Sequence, residues 1–268
     1  MRAKKSLGQN FLKAKKALND IAHVAELNKK DLVLEVGPGK GALTEILLEK
    51  AGRVIAVEKD EVLVKFLEEK FAKEISEEKL KLITGDILNF NLSNFTDFMD
   101  FKLSTGNFKV AANIPYYITG QFLRKFLSGK CQPSLMVLML QKEVAKRIVA
   151  QDNKESILSL SVKVYGTPKY VDTVEARYFS PAPKVDSAIL LISQISKDFF
   201  KDISEEKFFE VMKAGFAHKR KQLSGNLKSH FKNKNVEIIL EKFGIDKKTR
   251  AEDISLKNWA QIANEIDQ

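Results

Sequence analysis

The chain has 268 residues, 44% of them hydrophobic, which suits one large domain or a large domain with a small one; Cys131 stands alone and His23, His218 and His230 are scattered, which argues against a disulfide framework and against zinc. Its longest apolar run, Leu135 to Leu140, is six residues, too short for a bilayer, and the N-terminus lacks an apolar signal core, so a cytoplasmic protein with no membrane partner is expected. The net charge of +10 sits in two patches: residues 1–19 hold six Lys or Arg and residues 211–236 hold seven, neither stretch with an acid, which leaves the remainder slightly acidic.

Clustered positive charge is how a protein meets a phosphate backbone. An anionic membrane is the alternative, but neither patch carries the aromatic-rich apolar face of a membrane-surface helix. The first patch, Lys4-Lys5-Ser6-Leu7-Gly8-Gln9-Asn10-Phe11-Leu12, is a basic arm whose Leu7, Phe11 and Leu12 argue that it folds down onto something. Asp20 to Leu27 then reads as a short helix with Asn19 as its N-cap.

Asp31 to Val36 is a short strand that runs into Gly37-Pro38-Gly39-Lys40-Gly41, and Ala42 to Leu48 has helical periodicity. A strand, a Gly-rich turn and a helix make a nucleotide-type loop, with glycines where a ligand must approach the backbone. The next strand, Arg53 to Val57, ends at Glu58, twenty-one residues beyond Gly37, where an acid can take both hydroxyls of a ribose. Gly37-x-Gly39-x-x-Ala42 satisfies the relaxed dinucleotide fingerprint, so a nicotinamide or flavin oxidoreductase is one reading. Pro38 argues mildly against it, because a pyrophosphate wants N–H donors and Pro has none. S-adenosylmethionine has no phosphate and loses nothing there. A purely structural Gly-rich turn is the third reading.

Glu61 to Lys73 reads as a helix, and Leu80 to Thr84 as a strand followed by Gly85-Asp86. Asp86 thus falls at the same sheet edge as Gly37 and Glu58, placed to accept from an adenine amine or only to cap its own turn. Residues 89–107 read as a polar, Phe-containing loop or short helix. Lys109 to Ala112 is a strand that ends at Asn113-Ile114-Pro115-Tyr116-Tyr117. Pro115 pushes Ile114 toward an extended backbone. The Asn113 side-chain oxygen and the Ile114 carbonyl can then accept both hydrogens of a planar base amine while Tyr116 stacks on the ring. The bland alternative is a strand end running into a Pro turn, with Tyr116 and Tyr117 packed in the core.

Helix Thr119 to Leu127, a buried strand Leu135 to Gln141 and helix Lys142 to Ile148 follow, whereas Leu158 to Tyr165 fits a strand or a helix face equally. Strands are expected over Tyr170 to Ala176 and Val185 to Ile195. Between them, two prolines stiffen Phe179-Ser180-Pro181-Ala182-Pro183, so Phe179 either closes the second face of a base or is a core residue under a rigid turn. Past Ser196 the alternation of strand and helix stops. Phe208, Met212 and Phe216 mark one helix face and Lys213 and Arg220 another, with Ser224-Gly225 ending or interrupting that helix. Two domains are therefore expected, 1–195 of α/β type and a small all-α domain over 196–268.

Taken together, these stretches resemble the KsgA/RsmA family of ribosomal RNA small-subunit adenine N6,N6-dimethyltransferases, within the wider rRNA adenine dimethylase superfamily. The likeness runs nearly end to end and rests on Leu7 to Leu12, Glu35 to Gly41, Glu58, Gly85-Asp86, Asn113 to Tyr117, Gln141-Lys142-Glu143-Val144-Ala145 and Phe179 to Ser187. It implies a Rossmann-like class I methyltransferase, a seven-stranded, mainly parallel sheet with its last strand antiparallel, and helix rather than strand over 156–165. By position it implies S-adenosyl-L-methionine at Asn10, Leu12, Gly37, Glu58, Asp86 and Asn113, and the target adenine at Asn113, Ile114, Tyr116 and Phe179. The implied reaction dimethylates two adjacent adenosines near the 3′ end of the small-subunit RNA, with the small ribosomal subunit and its rRNA as partners of a monomer. Lys213, Lys219, Arg220 and Lys221 are the expected RNA contacts in the helical domain. An Erm-type enzyme acting on large-subunit RNA, and a non-catalytic assembly or transcription factor on the same fold, are the rival readings.

Overall fold

A computed structural model describes residue 4, residues 7–90 and residues 108–267. The stretch read as a polar loop or short helix lies, from residue 91 on, outside the described residues. In chain order the elements are β1 (Phe11–Leu12), α1 (Lys15–Val24), β2 (Leu32–Val36), α2 (Ala42–Lys50), β3 (Arg53–Glu58), α3 (Glu61–Lys70), α4 (Ala72–Ser76), β4 (Leu80–Thr84), β5 (Phe108–Asn113), α5 (Thr119–Leu127), β6 (Leu135–Gln141), α6 (Lys142–Val149), α7 (Ile157–Lys163), β7 (Thr167–Val174), β8 (Phe179–Ser180), β9 (Ser187–Ser193), α8 (Glu205–Gly215), α9 (Leu223–His230), α10 (Val236–Lys242) and α11 (Leu256–Asp267).

Seven strands form one sheet in the order β4-β3-β2-β5-β6-β9-β7. All pairs from β4 to β6 are parallel, and β9 runs antiparallel to both neighbours. The parallel strands are nearly continuous runs of Val, Leu, Ile, Met and Ala, as a sheet covered on both faces requires. Because β2 to β5 are parallel neighbours, the residues that follow each of them emerge at one edge, and the chain reverses its direction of travel across the sheet between β4 and β5. The two-residue β1 pairs antiparallel with β8, with Leu12 opposite Phe179.

The chain divides into two units, Met1–Ala145 with Gly166–Ile195, and Lys146–Tyr165 with Ser196–Gln268. The second unit thus takes in residues 146–165, which lie ahead of a division at 196. Residues 157–163 are helical, begun by a capping box between Ser156 and Ser159. Trp259, fully buried, stacks on Phe216 with ring centroids 5.5 Å apart and centres the second unit.

The strands expected over 170–176 and 185–195 are observed at Thr167–Val174 and Ser187–Ser193, and three helix boundaries also differ from the sequence reading. The first helix begins at Lys15, because the apolar stripe opens with Ala17 and Leu18; Asn19 lies inside it, exposed, and donates to the Lys15 carbonyl at 3.0 Å instead of capping. The helix expected over residues 61–73 breaks at Phe71, which turns its ring onto Gly41. Ser224 and Gly225 lie inside α9; the preceding helix already stops at Gly215, where a Cβ would meet the Trp259 ring at 2.4 Å. Gly41 is constrained in two ways, by a φ of +77° and by Phe71, whose ring would lie 2.5 Å from an added Cβ. Gly41→Ala is accordingly expected to lower unfolding free energy by about 1–3 kcal/mol in urea titration.

Candidate active site

A cavity of about 470 Å³ opens at the C-terminal edge of β2, β3, β4 and β5, within the range of small-molecule sites. Its lining brings together Asn10, Leu12, Gly37, Glu58, Asp86, Asn113, Ile114, Tyr116 and Phe179. The four expected RNA contacts, Lys213, Lys219, Arg220 and Lys221, belong to the helical unit. All four are exposed, Lys213 in the last turn of α8 and Lys219 to Lys221 in the turn that follows. Asn226, itself buried, holds that turn by donating to the carbonyls of Gly215 at 2.6 Å and His218 at 3.2 Å.

The glycine-rich turn is built on left-handed backbone, with φ of +67° at Gly37 and +61° at Gly39. A Cβ on Gly39 would meet the Phe11 ring at 3.0 Å, so the bare backbone there lets the arm lie across the turn. Lys40 lies over the same ring, 5.0 Å from its centroid. Glu58, 6% exposed, accepts from the Gly39 N–H at 3.1 Å and the Asp60 N–H at 2.9 Å. Burial raises its carboxyl above the usual range, opposed by those two N–H donors and that of Lys59. A preset carboxylate of this kind is matched to vicinal hydroxyls.

Asp86 accepts from the Leu88 N–H at 2.9 Å and pairs with Lys59 at 2.9 Å. The Lys59 ammonium beside it holds its carboxyl below the ordinary range. Asp60 caps α3 by accepting from the Val62 N–H, and its two oxygens also take Lys4 at 2.7 Å and the Gln9 side chain at 2.9 Å. Burial works against that charge, but the bonds from Lys4 and Gln9 prevail and hold the Asp60 carboxyl below its usual range.

At the tip of β5 the Asn113 amide donates to the Asn10 carbonyl at 3.3 Å, and Asn10 donates to the Gly8 carbonyl at 3.2 Å. The Asn113 NH₂ is thereby turned to the arm, and its oxygen is left to accept. Ile114 is buried and anchors the turn. Tyr116 is half-buried, and its hydroxyl shares a hydrogen bond of 2.7 Å with Ser187, which is fully buried. Burial raises the Tyr116 hydroxyl above its usual value. Phe179 lines the cavity but is 4% exposed and belongs to the core with Leu12 and Val174. The two tyrosines part company: Tyr117 is 62% exposed, which the core-packed alternative does not allow.

Sequence reasoning missed four groups at this site. Asp60 was visible as an acid heading a helix, and Glu35 as one charge in an apolar strand. Ser187 and Lys59 carried no periodic signal, since each acts through a partner remote in sequence. Glu35, 1% exposed, accepts from Thr44 Oγ1 at 2.7 Å, and burial pushes its carboxyl up to about 8.

Parallel strands with this cavity at their carboxyl edge, a Gly-rich turn, an acid ending β3 and an antiparallel β9 give a seven-stranded Rossmann-like domain of the kind methyltransferases use. The family model described as Ribosomal RNA adenine dimethylase matches residues 1–268. The chain is 40% identical over 269 residues to the Ribosomal RNA small subunit methyltransferase A of Dehalococcoides mccartyi, covering 98% of this chain and 88% of that one. A dimethyladenosine transferase from Plasmodium falciparum superposes with a TM-score of 0.80 at 25% identity, covering 96% of this chain and 97% of that one. The 23S rRNA methyltransferase ErmE, at 24% identity, gives a TM-score of 0.76 over 97% of this chain and 100% of its own, which shows the shared fold. The chain belongs to the ribosomal RNA adenine dimethylase family, whose members are S-adenosylmethionine-dependent methyltransferases. That assignment sets aside the dinucleotide oxidoreductase.

Glu35 generates a pH test. The folded chain keeps the Glu35 proton up to about pH 8, whereas the unfolded chain releases it near the ordinary carboxylate value. The associated stability is full below that ordinary value and is lost as pH rises to about 8. In cofactor-free protein, Glu35→Gln should flatten this decline and gain more than about 1 kcal/mol on the parent at alkaline pH in urea titrations. Parallel curves from pH 5 to 9 for the two proteins would show an ordinary carboxylate instead.

Proposed function

We propose that this chain dimethylates the exocyclic amines of two adjacent adenosines near the 3′ end of small-subunit rRNA, with S-adenosyl-L-methionine as methyl donor. The observation that carries the reading is the tip of β5, where Asn113, Ile114 and Tyr116 line the same cavity as Gly37, Glu58 and Asp86. In this reading Glu58 accepts from the donor's ribose hydroxyls and Asp86 from its adenine amine, while Gly37, Asn10 and Leu12 line its passage across the turn. The donor supplies a methyl group already activated by a sulfonium charge.

The Asn113 Oδ1 and the Ile114 carbonyl accept the two N–H hydrogens of the target amine. That draws its nitrogen toward a tetrahedral shape and frees the lone pair. Tyr116 stacks on the base, its ring fixed by the hydroxyl bond to Ser187, and Phe179 bounds the pocket from the core side. No side chain is required as a base beforehand, because the electrophile is cationic and the amine proton can leave to water after transfer. One N–H remains to be held for the second methylation. Lys213, Lys219, Arg220 and Lys221 meet the RNA backbone, and the chain acts in the cytoplasm as a monomer on the small ribosomal subunit.

Radiolabelled methyl transfer to undermethylated small subunits, followed by nucleoside analysis, is expected to yield N6,N6-dimethyladenosine, with large subunits inert. Label on large subunits alone would point to an Erm-type enzyme, and RNA binding without transfer to a non-catalytic factor. Asn113→Ala should cut turnover by more than about 100-fold while RNA affinity stays near the parent's. Replacing Lys219, Arg220 and Lys221 together with Gln should reduce the slope of log affinity against log salt by about 2 to 3. An unchanged slope removes that turn from the RNA contact.

A further inference from the structure

Tyr117 follows the pocket tyrosine directly, yet its ring is 62% exposed while it lines the cavity. The exposure is imposed by the backbone on either side. Ile114 and Ile118 are both buried, and the short 3-10 turn Tyr116–Ile118 is closed by the Ile118 N–H on the Pro115 carbonyl at 3.1 Å and by Thr119 Oγ1 on the Tyr116 carbonyl at 3.0 Å. With both flanks fixed, Tyr117 has no route into the core. Its ring is braced at one side by Gly8, where an added Cβ would sit 3.4 Å from two ring carbons. The exposed Tyr178 differs, because the Arg177 guanidinium already lies over its ring at 5.2 Å.

An aromatic ring held at low entropy cost beside a pocket for a base suits one ligand above others. When a nucleotide is drawn out of its stack into a cavity, the neighbouring base in the strand loses its stacking partner. We infer that Tyr117 is a second stacking subsite, which takes the nucleobase adjoining the adenosine held at Asn113. The inference rests on the methyltransferase reading above and deepens it. Because stacking on a ring face is tolerant of base identity, the subsite takes a purine or pyrimidine neighbour, and thus serves whichever of two adjacent adenosines lies outside the pocket.

The test compares the parent, Tyr117→Ala and Tyr117→Phe in initial-rate assays on undermethylated small subunits, alongside calorimetric binding of S-adenosylhomocysteine. The Ala variant is expected to raise KM for the subunits about tenfold, with affinity for S-adenosylhomocysteine within about twofold of the parent, and the Phe variant to restore KM. A parental KM in Tyr117→Ala overturns the subsite. So does a loss of S-adenosylhomocysteine affinity in step with KM, which would mean that the ring only props the arm at Gly8, and so does a failure of Phe to rescue. Transfer by the parent itself is the separate measure of the underlying function: if the parent is inert, both fall, and if it is active, only the subsite is at stake.

Discussion

The site depends on one buried carboxylate that accepts from two loops at once. Glu58, at the end of β3, takes the N–H of Gly39 from the turn after β2 and the N–H of Asp60 from the start of α3. An acid so placed costs desolvation, and it is held in place by fixed donors rather than by a cation. The turn can reach it only because Gly39 adopts a left-handed backbone that a side chain would strain and Phe11 would obstruct. Asp60 in turn receives Lys4 and Gln9, so the same two bonded loops fasten the arm. Gly-rich turn, acid and arm are thus one mechanical unit.

Much of this was legible in the chain. The short continuous apolar runs, the glycines before a helical stripe and the acid twenty-one residues beyond Gly37 placed the strands, the turn and the cavity edge, because each is a local consequence of backbone preference or burial. What was not legible depends on distance in sequence. The pairing of Leu12 with Phe179 joins segments 167 residues apart, and nothing near either residue announces it. Ser187 owes its importance to Tyr116, and Lys59 to Asp86. The helix ends at Gly215 and Phe71 were not legible for a related reason: the chain there packs on Trp259 and Gly41, neighbours remote in sequence. The stretch 158–165, which periodicity left open and the family resemblance read as helix, is helical over Ile157–Lys163 and begins with a cap at Ser156.

Charge is divided across the cavity in a way that fits two different ligands. The half nearest β3 and β4 carries Glu58 and Asp86, and the half at the tip of β5 offers an amide, a backbone carbonyl and a phenol. A cationic methyl donor is suited to the first half and an uncharged base to the second. In the proposed reaction an RNA strand arriving at the mouth would meet carboxylates, and like charge would repel its phosphates. The pairing of Lys59 with Asp86 and of Lys4 with Asp60 offsets this locally. Each ammonium lies on the more exposed side of its pair, Lys59 at 53% against 26% for Asp86 and Lys4 at 49% against 3% for Asp60. At both pairs the ammonium is thus the outer member and the carboxylate the inner one. In the proposed reaction that order puts the Lys59 ammonium outermost beside Asp86, where RNA phosphates would otherwise meet a carboxylate.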